Sequence, residues 1–245
     1  MEEIRLLAGL LAKARRAVFF GGAGVSTESG IPDFRSTDGL YHQQWRYPPE
    51  TILSRTFFDR YPEEFYRFYK EKMLFPGAVP NAAHRALAAW EKAGRLSAVV
   101  TQNIDGLHQA AGSEHVEELH GSVLRNHCMQ CGKSYGMEDV LHAAGVPHCE
   151  CGGVIKPDVV LYEEQLPEDA IENAMQAIDH ADLLIVGGTS LSVYPAAAFA
   201  AAYRGPTVIV NRSATQMDER ADLVIREPIG ETFEAVCRIM ETEQK

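Results

Sequence analysis

Six short apolar runs, separated in several places by helical patterns, constrain the fold of this chain more than any other feature. The runs cover residues 17–20, 98–101, 159–161, 183–186, 207–210 and 223–225. Apolar residues at helical spacing mark 4–14, 82–93, the stretch after Pro167 and the stretch 233–240. Strands that alternate with helices of about 10–15 residues are typical of α/β proteins with a mostly parallel, doubly wound sheet. The sequence therefore predicts that fold class.

Two stretches interrupt this alternation. Between residues 41 and 75 lie eleven of the 21 aromatic residues, at helical spacing. Between about residues 126 and 153 the chain is rich in turns and contains four of its five cysteines. We interpret both stretches as insertions that form a smaller lobe against the sheet domain. The predicted boundaries are 1–36, 81–123 and 154–245 for the sheet domain, 37–80 for a helical module and 124–153 for a cysteine-bearing module.

Composition excludes several classes of protein. The 245 residues are 46% hydrophobic and 23% charged, which argues against a disordered chain or a coiled coil. No run of about 18 apolar residues occurs, so no membrane span is expected. Met1 is followed by two glutamates where a secretory signal would carry positive charge, so a cytoplasmic location is expected. The net charge of −11 argues against direct binding of nucleic acid or of an anionic membrane.

A glycine-rich turn directly follows the first apolar run. Gly22, Ala23 and Gly24 stand at its start, and such a turn lets the backbone approach a pyrophosphate. The match to the usual dinucleotide fingerprint is incomplete, because Thr27 occupies the place of the third glycine and no acidic strand end follows about 20 residues later. A turn of this kind can also be purely structural. The departure favours a dinucleotide held in an unusual way over an ordinary dehydrogenase.

Four cysteines form two pairs in the second insertion. The first pair is separated by two residues and the second by one, with 17 residues between them: Cys128, Cys131, Cys149 and Cys151. Two thiolate pairs on two turns predict a tetrahedral zinc site of the ribbon type. Four thiolate ligands leave no open position, so the ion would be structural. The alternative is a Cys₃His site that includes a flanking histidine, His127 or His148.

Polar side chains follow the ends of other apolar runs. Gln102, Asn103, Ile104 and Asp105 come directly after the second run, and doubly wound sheets bind ligands at the carboxyl ends of their strands. Amide and carboxylate groups there suit sugar hydroxyls and a carboxamide, although the segment could be only a helix cap. His120 is a candidate general base if it lies beside the same crevice. Further candidates for nucleotide binding follow two later runs: Gly188, Thr189, Ser190, Asn211 and Arg212.

Taken in order, these segments resemble the sirtuins, the NAD-dependent protein lysine deacylases. The matching segments are 22–35, 101–105, His120 with Gly121, the four cysteines, 156–162, 188–195 and 209–211. The resemblance implies a Rossmann-type NAD-binding domain and a smaller lobe made of a zinc ribbon and a helical module. It implies that the protein transfers the acetyl group of acetyl-lysine to ADP-ribose, consumes NAD and releases nicotinamide. Acyl-lysine proteins or peptides are the implied partners.

The resemblance also implies a role for each matching residue. The implied NAD contacts are Gly22, Ala23, Gly24, Thr27, Phe34, Arg35, Gln102, Asn103, Ile104, Asp105, His120, Gly188, Thr189, Ser190, Asn211 and Arg212. In this implied scheme, Phe34 covers the reactive face of the sugar. His120 is the catalytic base, assisted by Asn103 and by Asp33, which is not itself among these NAD contacts. The implied peptide-binding edges are Val159, Val160, Leu161 and Tyr162 on one side and Ser192, Val193 and Tyr194 on the other.

Two departures from the family pattern concern the substrate. Family members commonly carry Phe-Gly-Glu where this chain has Tyr162, Glu163 and Glu164, so a glycine is missing from the peptide-binding edge. Tyr69 stands where desuccinylases of the family carry an arginine, which favours a neutral acyl group. The alternative functions are a deacylase for longer neutral acyl groups and a protein ADP-ribosyltransferase. A dehydrogenase and a zinc-ribbon nucleic-acid binder are disfavoured by the incomplete fingerprint and by the acidic charge.

Overall fold

The computed structural model describes residues 1–34, 39–42 and 45–243, and these form nine strands and ten α-helices. The strands are β1 (Ala17–Gly21), β2 (Leu96–Thr101), β3 (Val116–Glu118), β4 (Gly121–Cys128), β5 (Ser134–Gly136), β6 (Ile155–Val159), β7 (Leu183–Gly187), β8 (Thr207–Val210) and β9 (Leu223–Ile225). The helices are α1 (Glu2–Lys13), α2 (Pro49–Ile52), α3 (Arg55–Arg60), α4 (Pro62–Lys72), α5 (Ala82–Lys92), α6 (Leu107–Ala110), α7 (Met137–His142), α8 (Glu168–Asp179), α9 (Ala196–Ala202) and α10 (Ile229–Glu243). Short 3₁₀ turns cover Ala23–Val25, Thr27–Ser29, Leu40–His42 and Asp218–Arg220. Among the described residues, no helix combines the length and the apolar character needed to cross a membrane.

Six strands form one parallel sheet in the order β3-β2-β1-β7-β8-β9, and a separate antiparallel sheet has the order β5-β4-β6. β1 pairs with β7 in register, from Ala17 opposite Leu183 to Gly21 opposite Gly187. The chain leaves β1 toward β2 and later returns to β7 on the other side. The carboxyl ends of β1 and β7 therefore form a topological switch point, where such sheets bind ligands. The predicted doubly wound α/β fold is confirmed.

Burial on both faces explains why the apolar runs of this sheet are continuous. Along β1, Phe19 contributes to one apolar cluster, whereas Val18 and Phe20 contribute to the other. α1, α5 and α10 cover the first face, and α8 and α9 cover the second. Because successive side chains of a strand point to opposite faces, a sheet covered on both sides needs apolar residues at every position. The predicted strands of this sheet agree with the observed bounds to within two residues.

The apolar run at 159–161 differs from the other five. β6 ends at Val159 and pairs antiparallel with β4, where Val159 lies opposite Gly121. Val159 and Leu161 are buried in the apolar cluster of the smaller lobe and not against the parallel sheet. Grouping this run with the strands of the parallel sheet was therefore wrong, because its apolar side chains face the aromatic insertion.

The smaller lobe is built from the two insertions, which share one apolar cluster. Ser54 caps α3 by accepting a hydrogen bond from the Phe57 amide at 3.1 Å, and Pro62 begins α4. Aromatic side chains from these two helices fill the cluster: Phe57, Phe58, Phe65, Tyr66, Phe68 and Tyr69. Cys128 and Cys149 of the cysteine-bearing module belong to the same cluster. The helical and cysteine-bearing modules therefore have a common core.

Candidate active site

A cleft with a volume of about 1040 Å³ lies between the switch point of the parallel sheet and the smaller lobe. Most residues that the sequence proposed for the site line it: Ala23, Gly24, Thr27, Asp33, Phe34, Gln102, Asn103, Ile104, Asp105, His120, Val159, Val160, Leu161, Tyr162, Gly188, Thr189, Ser190, Val193, Tyr194, Asn211 and Arg212. Gly22 directly follows β1 and is not part of this lining, and Ser192 meets Ser190 through a 2.7 Å contact between their Oγ atoms. Arg35 lies outside the described residues.

Two glycine turns meet at the switch point. The Gly22 amide donates to the Gly187 carbonyl at 3.2 Å, and the Gly24 amide donates to the Gly188 carbonyl at 2.8 Å. A Cβ atom on Gly24 would lie 2.8 Å from the Gly188 Cα, which is closer than packed carbon atoms can approach. Glycine is therefore required for this approach of the two backbones. The result is a backbone-lined cradle at the floor of the cleft, which suits a pyrophosphate.

A hydrogen-bonded network stands behind the cradle. The Ser26 hydroxyl donates to Asp105 Oδ2 at 2.6 Å, and Asn103 Nδ2 donates to Ser26 Oγ at 3.1 Å. The Thr101 hydroxyl accepts from the Asn103 amide, and Asp105 Oδ1 accepts from the Leu107 amide. Ser26 thus joins the glycine-rich segment to the polar segment 102–105. Its position inside the glycine-rich segment was the only sequence signal for this residue, which was not predicted.

His120 lies on the cleft wall with a defined tautomer. Its Nδ1 is 2.9 Å from the Gln102 carbonyl oxygen, which can only accept, so Nδ1 carries the proton and Nε2 has a free lone pair. Burial lowers the pKa of His120 from 6.5, and the hydrogen bond to Gln102 opposes this only in part. His120 is therefore neutral at neutral pH, which is the state a general base requires.

The side-chain amide of Gln102 also indicates what the cleft binds. Its side-chain Nε2 is buried and has no hydrogen-bond partner among the residues that the structure describes. Because a buried amide without a partner is costly, this donor is expected to be satisfied by a ligand. Together with the glycine cradle, this donor fits a nucleotide with sugar hydroxyls.

Two buried imidazoles lie beneath the Asp105 network and were not predicted. His84 and His108 are 0% and 1% exposed, and their ring centroids are 4.8 Å apart. Burial lowers the pKa of His84 to about 4, although Asp105 raises it, and burial together with His84 lowers the pKa of His108 to about 3. Both rings are therefore neutral. His84 Nδ1 accepts from the Asn81 amide at 3.3 Å and completes a capping box at the start of α5.

The edge proposed to bind peptide is joined to both lobes. The Val160 amide donates to the His120 carbonyl at 3.0 Å. The Tyr162 amide donates to the Leu53 carbonyl at 2.9 Å, and the Arg55 amide donates to the Tyr162 carbonyl at 3.0 Å. Tyr162 is 41% exposed and lines the cleft. The backbone of the edge is therefore fixed before any peptide binds, which favours the addition of a peptide strand.

Glu163, which stands where the resemblance implies a glycine, has a glycine-like backbone conformation. Its φ is 76°, in the left-handed region that side chains disfavour. Its carboxylate accepts from the Thr56 amide at 2.9 Å, in the first turn of α3. Hydrogen bonds from Thr56 lower the pKa of Glu163. This contact ties the glutamate to a helix N-terminus, where negative charge is favoured, and offsets the strain at φ.

Glu164 organises the same corner from the inside. Its carboxylate accepts from the Leu161 amide at 2.9 Å, from Lys156 Nζ at 3.1 Å and from Arg55 at 3.1 Å. Burial raises the pKa of Glu164, but the Leu161 amide and Lys156 outweigh this, so the net pKa is lowered. Glu164 is therefore ionised at neutral pH and fixes the turn that follows the peptide-binding edge.

The aromatic residue proposed to select the acyl group does not face the cleft. Tyr69 is 0% exposed and packs in the cluster of the smaller lobe, with its ring stacked on Phe65 at 5.5 Å. Lys72, a basic residue that does line this wall, has its Nζ 3.2 Å from Glu71 and 5.7 Å from the centre of the Trp45 ring. Among the described lining residues of the smaller lobe, no free cation is available for an acidic acyl group.

The four cysteine sulfur atoms come together in the smaller lobe. All four lie within 4.8 Å of one another, with Cys128 Sγ 3.5 Å from Cys151 Sγ and Cys131 Sγ 3.6 Å from Cys149 Sγ. These separations are too long for disulfides, and they are close to the edge of about 3.8 Å of a tetrahedron with Zn–S bonds of about 2.3 Å. The geometry therefore fits the predicted Cys₄ zinc site, and a histidine ligand is unnecessary.

These features together define a class of protein: an NAD-type dinucleotide-binding sheet domain with a zinc-binding smaller lobe and a neutral histidine in the cleft between them. The sequence model described as the Sir2 family matches residues 22–195. The chain belongs to the Sir2 family.

Individual relatives agree with this assignment over the whole chain. An NAD-dependent protein deacetylase from Clostridium acetobutylicum is 54% identical over 241 residues, which is 96% of this chain and 98% of that protein. A solved structure of Sir2 with a p53 peptide and NAD⁺ is 42% identical, covers 98% of each chain and has a TM-score of 0.85. A Sir2 mutant with a deacetylated p53 peptide and 3′-O-acetyl-ADP-ribose is also 42% identical, covers 96% of this chain and 98% of its own, and has a TM-score of 0.89.

Proposed function

We propose that this protein is an NAD-dependent protein lysine deacetylase, which releases nicotinamide, free lysine and O-acetyl-ADP-ribose. The observation that carries the proposal is the placement of the His120 imidazole beside the Ser26–Asn103–Asp105 network in the cleft of a Sir2 chain. Relatives named NAD-dependent protein deacetylase, with up to 54% identity over nearly the whole chain, support the same activity.

The residues of the cleft fit NAD. The glycine turns at Gly24 and Gly188 would hold the pyrophosphate, and Thr189 and Asn211 would contact the adenosine half. Asp105, fixed by Ser26, would accept from the nicotinamide carboxamide. When bound, NAD supplies a ribose carbon that accepts the acyl oxygen as nicotinamide leaves.

His120 would act on a hydroxyl of that ribose. Its Nδ1–H is committed to the Gln102 carbonyl, so Nε2 is the atom that takes the proton. The Gln102 carbonyl also stabilises the positive charge that the imidazole gains, because this carbonyl still accepts the hydrogen bond from Nδ1 after Nε2 is protonated. Asn103, held by Thr101 and Ser26, would position a water molecule or a ribose hydroxyl nearby.

The acyl-lysine peptide would bind as an extra strand between the edge at Val159, Val160, Leu161 and Tyr162 and the segment at Ser192, Val193 and Tyr194. The first segment lines the cleft, as do Val193 and Tyr194 of the second, and backbone hydrogen bonds to His120 and Leu53 already fix the first segment. The zinc ion would hold the smaller lobe together through its four cysteines, and none of the steps above uses it.

A product analysis tests the proposal. The purified protein is incubated with NAD and one peptide that carries acetyl-lysine, and the products are identified by mass. Nicotinamide, deacetylated peptide and O-acetyl-ADP-ribose should appear in equal amounts. His120→Ala should reduce turnover about 10²–10⁴-fold and leave the dissociation constant for ADP-ribose nearly unchanged. His180→Ala, on the surface at the end of α8, is the matched control and should keep full activity.

Two outcomes would contradict the proposed deacetylase activity and indicate another enzyme. Protein that gains the mass of ADP-ribose while the peptide keeps its acetyl group would indicate an ADP-ribosyltransferase. Reduced cofactor that absorbs in the near ultraviolet would indicate a dehydrogenase.

A further inference from the structure

We propose that Tyr162 is a positioning residue that links the peptide edge to the sugar end of the nucleotide site. Its hydroxyl pairs with that of Tyr41, and Tyr41 holds the ring of Phe34. This inference rests on the proposed function, since it assigns Phe34 to the ribose from which nicotinamide leaves. It adds a residue of the peptide edge to those that determine how tightly the ribose end is bound.

The contact between the two tyrosines is direct. Tyr41 Oη and Tyr162 Oη are 2.6 Å apart, a normal distance for hydroxyl groups that share a hydrogen bond. Tyrosine differs from phenylalanine only by this hydroxyl oxygen, so Tyr162→Phe removes the contact and keeps the ring. Tyr162 therefore does more than provide an aromatic surface for a peptide.

Tyr41 is bound to Phe34 in two ways. The Tyr41 amide donates to the Phe34 carbonyl at 2.9 Å, and the neighbouring Leu40 amide donates to the Asp33 carbonyl at 2.9 Å. The rings of Phe34 and Tyr41 also pack edge to face, with centroids 5.7 Å apart and planes at 66°. A displacement of Tyr41 would therefore move both the backbone and the ring of Phe34, which lines the cleft.

Tyr162 is well suited to hold Tyr41 because its own backbone is fixed on both sides. It forms hydrogen bonds with Leu53 and Arg55 across a parallel bridge, and the next residue, Glu163, accepts from the Thr56 amide. The Tyr162 hydroxyl is thus carried by a segment with little freedom to move. A chain of contacts therefore connects the helical module with Phe34 through Tyr162 and Tyr41.

A double-mutant cycle tests this arrangement: Tyr162→Phe, Tyr41→Phe and the double variant. The dissociation constants for ADP-ribose and for ADP are measured by calorimetry. A neutral hydrogen bond has a net value that corresponds to about a two- to tenfold change in an equilibrium constant. Each single variant should bind ADP-ribose about two- to tenfold more weakly, and the double variant no more weakly than the singles. Affinity for ADP, which lacks the second ribose, should be unchanged in all three.

Tyr61→Phe is the matched control, since it removes a hydroxyl from the same module at a side chain that is 55% exposed. It should bind both nucleotides like the wild type. In steady-state assays, the KM for NAD should rise in Tyr162→Phe by the same factor as the ADP-ribose dissociation constant, with kcat nearly unchanged. A purely local role at the peptide edge would raise only the KM for peptide.

Unchanged ADP-ribose affinity in either single variant would overturn the proposal. So would additive losses in the double variant, or equal losses for ADP and ADP-ribose. Nucleotide binding needs no turnover, so the cycle remains informative even if the wild type fails to deacetylate a peptide. Failure of the proposed function and failure of the hydroxyl pair are thereby distinguished.

Discussion

The two buried imidazoles beneath the cleft should make this protein sensitive to mild acid. His84 and His108 are neutral in the folded chain, with pKa values of about 4 and about 3, whereas an unfolded chain has the ordinary value of 6.5. The folded pKa is the lower one, so the unfolded state binds more protons as the pH falls. The associated stability is fully present above pH 6.5 and is lost as the pH falls toward the folded values.

The magnitude follows from these values. At pH 5 each imidazole is about 97% protonated in the unfolded chain and almost entirely neutral in the folded chain, which costs about 2 kcal/mol per residue relative to pH 7. The pair should therefore lower the free energy of unfolding by about 4 kcal/mol between pH 7 and pH 5. That is a large part of the roughly 5–15 kcal/mol that holds an ordinary domain folded.

Urea unfolding at pH 7 and pH 5 measures this loss. His108→Leu removes one of the titrating groups and fills the space with an apolar side chain, so its loss between the two pH values should be about 2 kcal/mol smaller than that of the wild type. His142→Gln, on the surface, leaves both buried imidazoles in place and should match the wild type. Comparison of variants cancels any acid-dependent release of zinc, since all of them keep the four cysteines. A loss in His108→Leu equal to that of the wild type would refute the reasoning.

Three further predictions concern zinc, the acyl group and the catalytic base. Cys149→Ser should lose the zinc ion and destabilise the smaller lobe, because such sites couple metal binding to folding; metal analysis that finds full zinc in a fully stable variant would contradict the Cys₄ assignment. On one peptide, kcat/KM for succinyl-lysine should be at least about tenfold below that for acetyl-lysine, since burial of an unpaired carboxylate costs several kcal/mol; an equal or higher succinyl value would show that a cation reaches the acyl group. Activity should be lost as the pH falls through the lowered pKa of His120, so the midpoint of the acid limb of kcat/KM should lie below pH 6.5, and a midpoint above that value would exclude His120 as the base.

The sequence predicts the parallel sheet well because full burial leaves a simple pattern. Runs such as 17–20 and 183–186 are continuously apolar, and only a strand covered on both faces requires this over so short a length. β3 was not predicted because it is a short edge strand with two glutamates. α9 was not predicted because a run of alanines has no apolar periodicity from which a helical face could be recognised.

Residues of the candidate site could be proposed from the sequence where their role depends on residue type. Contacts between distant parts of the chain could not be proposed in this way. The four cysteines and His120 carry their chemistry in their side chains, so spacing and position were enough to propose them. The link from Ser26 to Asp105 spans 79 positions of the chain, and that from Tyr41 to Tyr162 spans 121, so no local pattern reports either contact. Tyr69 shows the same limit, since helical spacing cannot reveal which face of α4 turns toward the cleft.

The shared core of the smaller lobe has a consequence for a cell that is short of zinc. Cys128 and Cys149 lie in the same apolar cluster as Leu53, Val159 and Leu161, which line the cleft on its peptide side. The glycine turns and the Ser26–Asp105 network instead rest on the parallel sheet, whose two clusters of described residues contain none of the four zinc-site cysteines. Metal starvation should therefore weaken binding of the protein substrate more than binding of the ADP half of the nucleotide. Zinc-free protein of this kind would bind NAD without consuming it.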